Sequence, residues 1–234
     1  LMKHYRKVHY VERKPHAMRE SVGRIIETLR SVRKQKKIFL FLIAFFFFID
    51  GVYTIIDMAT AYGSALGLDS TGLLLALLVT QFVAFPFSIL FGRLAEKYDT
   101  GKLILTCIAA YTGITVFAVF MKAQWQFWVL AIFVGMFQGG IQALSRSYFA
   151  KIVPPERSGE YFGLMDICGK GASFMGTTVV GLASQAFGSI NIGISAIVFL
   201  FLAGALFFMK TEHSGSESMK NQENVIMEQQ MFHD

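Results

Sequence analysis

Charge is scarce in this chain. Only 16% of its 234 residues are Asp, Glu, Lys or Arg, while 54% are hydrophobic, 24 Phe among them. An average soluble domain is about 25% charged and roughly 45–50% apolar. Three stretches, Ser70 to Gly92, Leu103 to Met121 and Ala123 to Ser145, carry no charged side chain at all. Each is about as long as the ~20 residues a helix needs to cross a ~30 Å hydrocarbon layer. This composition argues against a soluble enzyme, a disordered chain or a disulfide-stapled one, and for a multi-spanning all-α membrane protein. Histidine is missing from every apolar stretch: His4, His9, His16, His213 and His233 all lie in the tails, so a histidine relay is excluded. There is no Gly-x-Ser-x-Gly elbow and no His-Glu-x-x-His helix, which leaves a membrane-embedded enzyme without its usual machinery. Cys107 and Cys168 fall on separate apolar stretches with no ligand cluster around either, so packing is the expected role and no metal or cofactor is called for. No cleavable signal is expected at the start of this sequence, because the first apolar run begins after residue 37. The opening Leu1 leads us to expect a fragment, or an unusual start, of something longer.

What charge there is sits unevenly. Residues 1–37 hold 12 Lys/Arg against Glu12, Glu20 and Glu27, a net +9, whereas residues 38–209 carry eight basic and eight acidic side chains. The division predicts a basic cytoplasmic segment over 1–37, a six-helix domain over 38–209 and a polar, disordered cytoplasmic tail over 210–234. Within the first segment Val22, Ile25, Ile26, Leu29 and Val32 recur at helical spacing among Arg24, Arg30, Arg33 and Lys34. That pattern is a basic amphipathic helix, compatible with the inner membrane surface or with a linker between two membrane halves. Nucleic acid is not the expected partner, since no aromatic-basic module accompanies the charge.

Hydropathy and breakers place six spans near 38–57, 70–91, 103–121, 127–150, 161–183 and 192–209, with a polar turn over 184–191 separating the last two. With these spans, twenty Lys/Arg fall on one side and only Lys122 on the other, which puts both termini in the cytoplasm. Trp125 and Trp128 mark the outer end of the fourth span.

Polar groups inside spans are costly and so are informative. Asp50 lies 12 residues into the first span, about 18 Å along a helix and near the midplane. Gln81, Gln138 and Lys170 reach similar depth on the second, fourth and fifth spans. Asp50, Tyr53, Thr54 and Asp57 form an i, i+3, i+4, i+7 stripe. Gln138, Gln142 and Arg146 step by four along the fourth span, as do Asp166 and Lys170 on the fifth. The third and sixth spans have no ionisable side chain in their interiors. Spans one, two, four and five are therefore expected to line something wet, with three and six facing lipid. Plainer roles compete at each position. Asp166 and Lys170 would neutralise each other within one helix, Gln81 and Gln138 would serve as interhelical glue, and Arg146 would snorkel to the headgroups, its favoured reading. Asp50 has no basic residue within a turn, and a cavity-facing role is favoured for it. Gly135 with Gly139, and Ala172 with Gly176, are small-xxx-small pairs that allow close helix approach.

Between the second and third spans the sequence runs Gly92-Arg93-Leu94-Ala95-Glu96-Lys97-Tyr98-Asp99-Thr100-Gly101-Lys102. It resembles the signature loop of the major facilitator superfamily, with Glu96 where Asp is usual and Asp99 where Gly is usual. Phe48-Ile49-Asp50-Gly51-Val52-Tyr53-Thr54-Ile55-Ile56 and Gly139 to Ala150, followed by Pro154, Pro155, Glu156 and Phe162-Gly163, are similar to the vacuole-effluxer-like branch of that superfamily, which includes the fungal vacuolar amino-acid exporter. The resemblance covers roughly residues 20–209. It implies one six-helix half, a 3+3 inverted repeat, of a twelve-helix fold, here the C-terminal half, with six helices missing upstream. It further implies a secondary transporter, sited in the cell membrane, that moves a small solute such as an amino acid by alternating access. Asp50, Tyr53, Gln81, Gln138, Gln142, Asp166 and Lys170 would line the solute cavity. Gly92, Arg93, Glu96, Lys97 and Lys102 would form the conformational-switch loop, whose charges link neighbouring helices in one state. The expected partners are the bilayer, the solute, and the missing half or a second copy. Under proton coupling Asp50 or Asp166 would be the carrier. The rival reading is a non-transporting six-helix membrane subunit or a truncated gene product.

Overall fold

The computed structural model describes residues 27–65, 67–188 and 190–231, and all of its regular structure there is helical. A short helix α1 covers 27–34. Six long ones follow: α2 (Lys36–Ala65), α3 (Ser70–Lys97), α4 (Thr100–Val119), α5 (Gln124–Ile152), α6 (Ser158–Phe187) and α7 (Ile190–Met231). Five of the six expected spans each fall inside one long helix, and the third, 103–121, overruns α4 by two residues. Five of the six long helices, with α7 represented by Asn191–Ser214, are long and apolar enough to cross a membrane. The exception is α6, which has the length, 30 residues, but combines Lys170 with many Gly, Ser and Thr over its second half and Glu160 and Asp166 over its first.

The helix ends follow from local chemistry. Asp69 caps α3, its carboxylate accepting the Gly72 N–H at 2.8 Å. Asp99 caps α4 in the same way through the Lys102 N–H at 2.9 Å. Pro154 and Pro155 lead through a single 3₁₀ turn into α6, and α6 stops at Gly188, whose φ of 65° is the left-handed conformation that glycine adopts without strain.

Two sequence expectations change here. The segment Gly92 to Lys102 is barely a loop: α3 runs through Lys97 and α4 begins at Thr100, so only Tyr98 and Asp99 interrupt the helices. The reason is the cap itself, since Asp99 ends one helix by starting the next. The tail expected to be disordered from residue 210 instead continues α7 to Met231. That stretch has no proline and is rich in Glu, Gln, Lys and Met, all good helix formers. Of the amphipathic stripe in the basic segment, Val22, Ile25 and Ile26 lie outside the described residues. Of the rest, Val32 is buried and Leu29 half exposed. Around them Thr28 donates to Glu160 at 3.1 Å and Gln35 donates to the Tyr161 hydroxyl at 3.1 Å, which seats α1 on the start of α6.

The hub of the bundle is α2. It packs on α7 and α6 and more lightly on α5, and its Ala44, Phe48 and Val52 are fully enclosed. A helix that is hydrophobic nearly all round is suited to that central place. Phe41 anchors the end near Lys37, stacking on Tyr148 at 5.2 Å and on Phe149 at 5.3 Å between ring centroids. At its edge α3 leans almost wholly on α5. The seam is made by two glycines of α5: a Cβ at Gly135 would stand 2.6 Å from the Thr80 carbonyl oxygen, and one at Gly139 would stand 2.7 Å from that of Ala84. Outward, α3 exposes Leu74, Leu78, Phe82, Phe85 and Ile89. This broad apolar strip lies on the same helix as Gln81, which was expected to line something wet.

Candidate functional site

The polar side chains of the spans do not form one ring. They separate into three groups at neighbouring seams. The first is a pocket of about 110 Å³ between α2, α5 and α6, lined by Tyr53, Gln142, Arg146, Asp166 and Lys170 with Phe45, Ile49, Met165 and Gly169. Three helices converge on it because each brings a polar stripe one side chain wide. The floor is close-packed at Gly169, where a Cβ would make ordinary contact with Phe45 and Tyr53. Four of the seven expected solute-binding residues meet here: Tyr53, Gln142, Asp166 and Lys170.

Arg146 joins them, against the snorkelling role favoured from sequence. Its guanidinium donates to Asp166 Oδ1 at 2.8 Å, with the two side chains 58% and 50% exposed. The partner of Asp166 is therefore a residue of the next helix rather than Lys170, four residues along its own. Lys170 is exposed and makes no ion pair among the described residues. Two cations and one carboxylate leave the pocket with a net positive charge. Beside it Ser173 donates to Asp57 Oδ2 at 2.8 Å, tying α6 to α2.

Gln81 and Gln138 meet elsewhere, with Thr80 in a narrow cleft of about 40 Å³ between α2, α3 and α5. The Gln138 Oε1 is buried and receives no hydrogen bond among the described residues. Asp50 stands alone in the α2–α6 seam. It is fully buried, and it accepts the Gly176 backbone N–H at 2.9 Å and the Thr54 hydroxyl at 3.4 Å. It does not line the charged pocket.

The model of the family described as "Vacuole effluxer Atg22 like" matches residues 2–220. The chain belongs to this Atg22-like family. It is 41% identical over 226 residues to the MFS-type transporter YxiO of Bacillus subtilis (strain 168), which is 97% of the chain and 53% of YxiO. Autophagy-related protein 22-2 of Aspergillus clavatus is 27% identical over 201 residues, 78% of the chain and 32% of the fungal protein. Autophagy-related protein 22 of Saccharomyces cerevisiae (strain YJM789) is 29% identical over 178 residues, 69% of the chain and 33% of that protein. The chain thus spans about half the length of the bacterial relative and about a third of the fungal ones. With five helices able to cross a bilayer and this family membership, it is a multi-pass membrane protein.

In this Atg22-like chain the residues of the expected switch loop stand apart from the pocket. Gly92, Arg93, Glu96 and Lys97 are exposed, and among the described residues none of these three charges pairs with a neighbouring helix. Lys102 supplies its backbone N–H to the Asp99 cap. The linkage at this end comes from residues that sequence reading missed. The Tyr148 hydroxyl donates to Glu212 of the α7 continuation, Lys151 donates to the Thr100 hydroxyl at 2.8 Å, and the Lys37 ammonium lies 5.8 Å from the centre of the Tyr148 ring. The signal available was an acid three residues past Met209, the end of the expected sixth span, on a segment set aside as tail.

Proposed function

We propose that the chain is the C-terminal six-helix half of a secondary transporter, a 3+3 inverted repeat, that moves a small solute across a membrane by alternating access. The carrying observation is the α2–α5–α6 pocket, where Arg146, Asp166 and Lys170 hold three charges among otherwise apolar helices. Intramembrane charges cluster where a polar solute or ion must be stabilised. A carboxylate solute group suits Lys170 and the exposed edge of Arg146, and an ammonium group suits Asp166, so zwitterions of amino-acid type fit best. Tyr53 and Gln142 supply neutral hydrogen bonds, and Gln81 and Gln138 extend the polar path along α3 and α5. The family membership supports the same reading, as the family is described as vacuole effluxer like and one relative is named an MFS-type transporter. In this reading residues 1–37 link the two halves, residues 38–209 form the membrane domain, both termini are cytoplasmic, and the protein resides in the cell membrane.

The test uses the full-length protein reconstituted in vesicles and offered a panel of labelled amino acids. Lys170→Gln and Arg146→Gln should each lower uptake by about tenfold or more, since a charge-assisted hydrogen bond is worth about 1.5–3 kcal/mol. Uptake unchanged in both variants removes the pocket from the solute path.

A further inference from the structure

Asp50 is the one buried carboxylate or cation among the described residues. Its Oδ1 is satisfied by the Gly176 N–H and the Thr54 hydroxyl, while its Oδ2 is enclosed and meets no donor among the described residues. An ionised carboxylate with a bare oxygen in a buried, low-dielectric seam costs several kcal/mol, and a proton on that oxygen removes most of the penalty. Among the described residues no positive group is at hand to do it instead. On α5, Arg146 is committed to Asp166. On α6, Lys170 precedes Gly176 by six residues, about 9 Å of helix rise, and lies in the separate pocket. On α2 itself the nearest ionisable side chains are Tyr53, in the pocket lining, and Asp57, already bonded to Ser173. Over 70–92 of α3, 103–119 of α4 and 190–209 of α7 there is no charged side chain.

A metal cation fits the seam poorly. The side chains offer it only Asp50 and Thr54, and both helices run unbroken through the site, so neither frees backbone carbonyls in the way the discontinuous helices of ion-coupled transporters do. The Gly176 N–H, aimed at Oδ1, also presents its positive end.

We infer that Asp50 is a proton-binding site, separate from the solute pocket and linked to it through α6. The inference rests on the transporter reading for its role in coupling, though not for the protonation itself. With α2 and α6 closed, the residue is the neutral acid. When α6 draws away from α2 and admits water, the Oδ2–H bond breaks, the electron pair stays on the carboxylate and the proton passes to water. Reclosure requires the proton back. Glycine at 176 is what allows the contact, because a methyl there would overlap both Asp50 Oδ1 and Thr54 Oγ1. Ser173 and Lys170, one and two turns earlier on α6, carry the same movement to Asp57 and to the pocket.

Two measurements on the full-length protein test this. Infrared difference spectra at neutral pH should show the carbonyl stretch of a protonated carboxylic acid, shifted in deuterated water, lost in Asp50→Asn and kept in Asp166→Asn. Absence of the band, or its survival in Asp50→Asn, overturns the inference whatever the protein transports. In vesicles, the ratio of uptake with an acid-to-neutral pH gradient to uptake without one should exceed one in the wild type and fall to one in Asp50→Asn. A ratio retained in the variant, or stimulation by a sodium gradient in place of a proton gradient, overturns it. If the wild type moves no solute, the transporter reading fails and the infrared result alone decides Asp50. The infrared result also decides if the variant is inactive.

Discussion

Arg146 holds Asp166 with both side chains about half exposed, and that exposure fixes what the pair can do. A solvated ion pair contributes under about 1 kcal/mol to stability. Asp166→Asn should therefore leave the thermal midpoint of the purified protein almost unmoved while lowering solute uptake. A large fall in both would make the pair a structural strut. The pairing also marks a limit of sequence reading. The i, i+4 spacing of Asp166 and Lys170 was visible, but which of two nearby cations an acid selects depends on how α5 and α6 are rotated against each other. The same blindness hid the division of the polar residues. Asp50 and Tyr53 share one stripe on α2, yet a rotation of a few tens of degrees puts the first in a seam and the second in a pocket.

Among the elements, the α3–α5 seam is set by backbone proximity. Gly135→Ala and Gly139→Ala should each cost about 1–3 kcal/mol, the usual range for overpacking, and lower the thermal midpoint in detergent. Gly113→Ala and Gly181→Ala, where an added Cβ would meet nothing within 4 Å, are the matched controls and should change little. Equal effects at all four positions would indicate helix propensity rather than packing. Between α5 and α7, Tyr148→Phe and Glu212→Gln remove the two sides of one hydrogen bond. Their stability effects should be non-additive by about 0.5 kcal/mol or more in a double-mutant cycle, and additivity would show that the bond is not formed. Five of the six spans were legible because hydropathy is a strong signal over some twenty residues. The continuation of α7 was not, because propensities are weak per residue and its anchor is a tertiary contact.

Across the whole molecule, the arrangement makes a prediction about water. Single cysteines at 53, 142 and 170 in the full-length protein should react with a charged, membrane-impermeant thiol reagent, and cysteines at 199, 202 and 206 on the exposed apolar face of α7 should not. Equal labelling of both sets would mean that the pocket is not open to an aqueous phase. The sixfold helical layout could be read from composition, and the family resemblance from three short stretches. The asymmetry of the bundle, with α2 enclosed and α3 hanging on one neighbour, could not, since it depends on which apolar faces find each other. The 42 residues of α7 make a rod of about 63 Å at 1.5 Å per residue, twice the ~30 Å depth of the hydrocarbon. About half of it therefore stands clear of the bilayer like a mast. A fluorophore attached near Met231 would ride roughly 30 Å above the lipid surface, and any tilt of α7 would be magnified there into a displacement large enough to follow by energy transfer to a membrane dye.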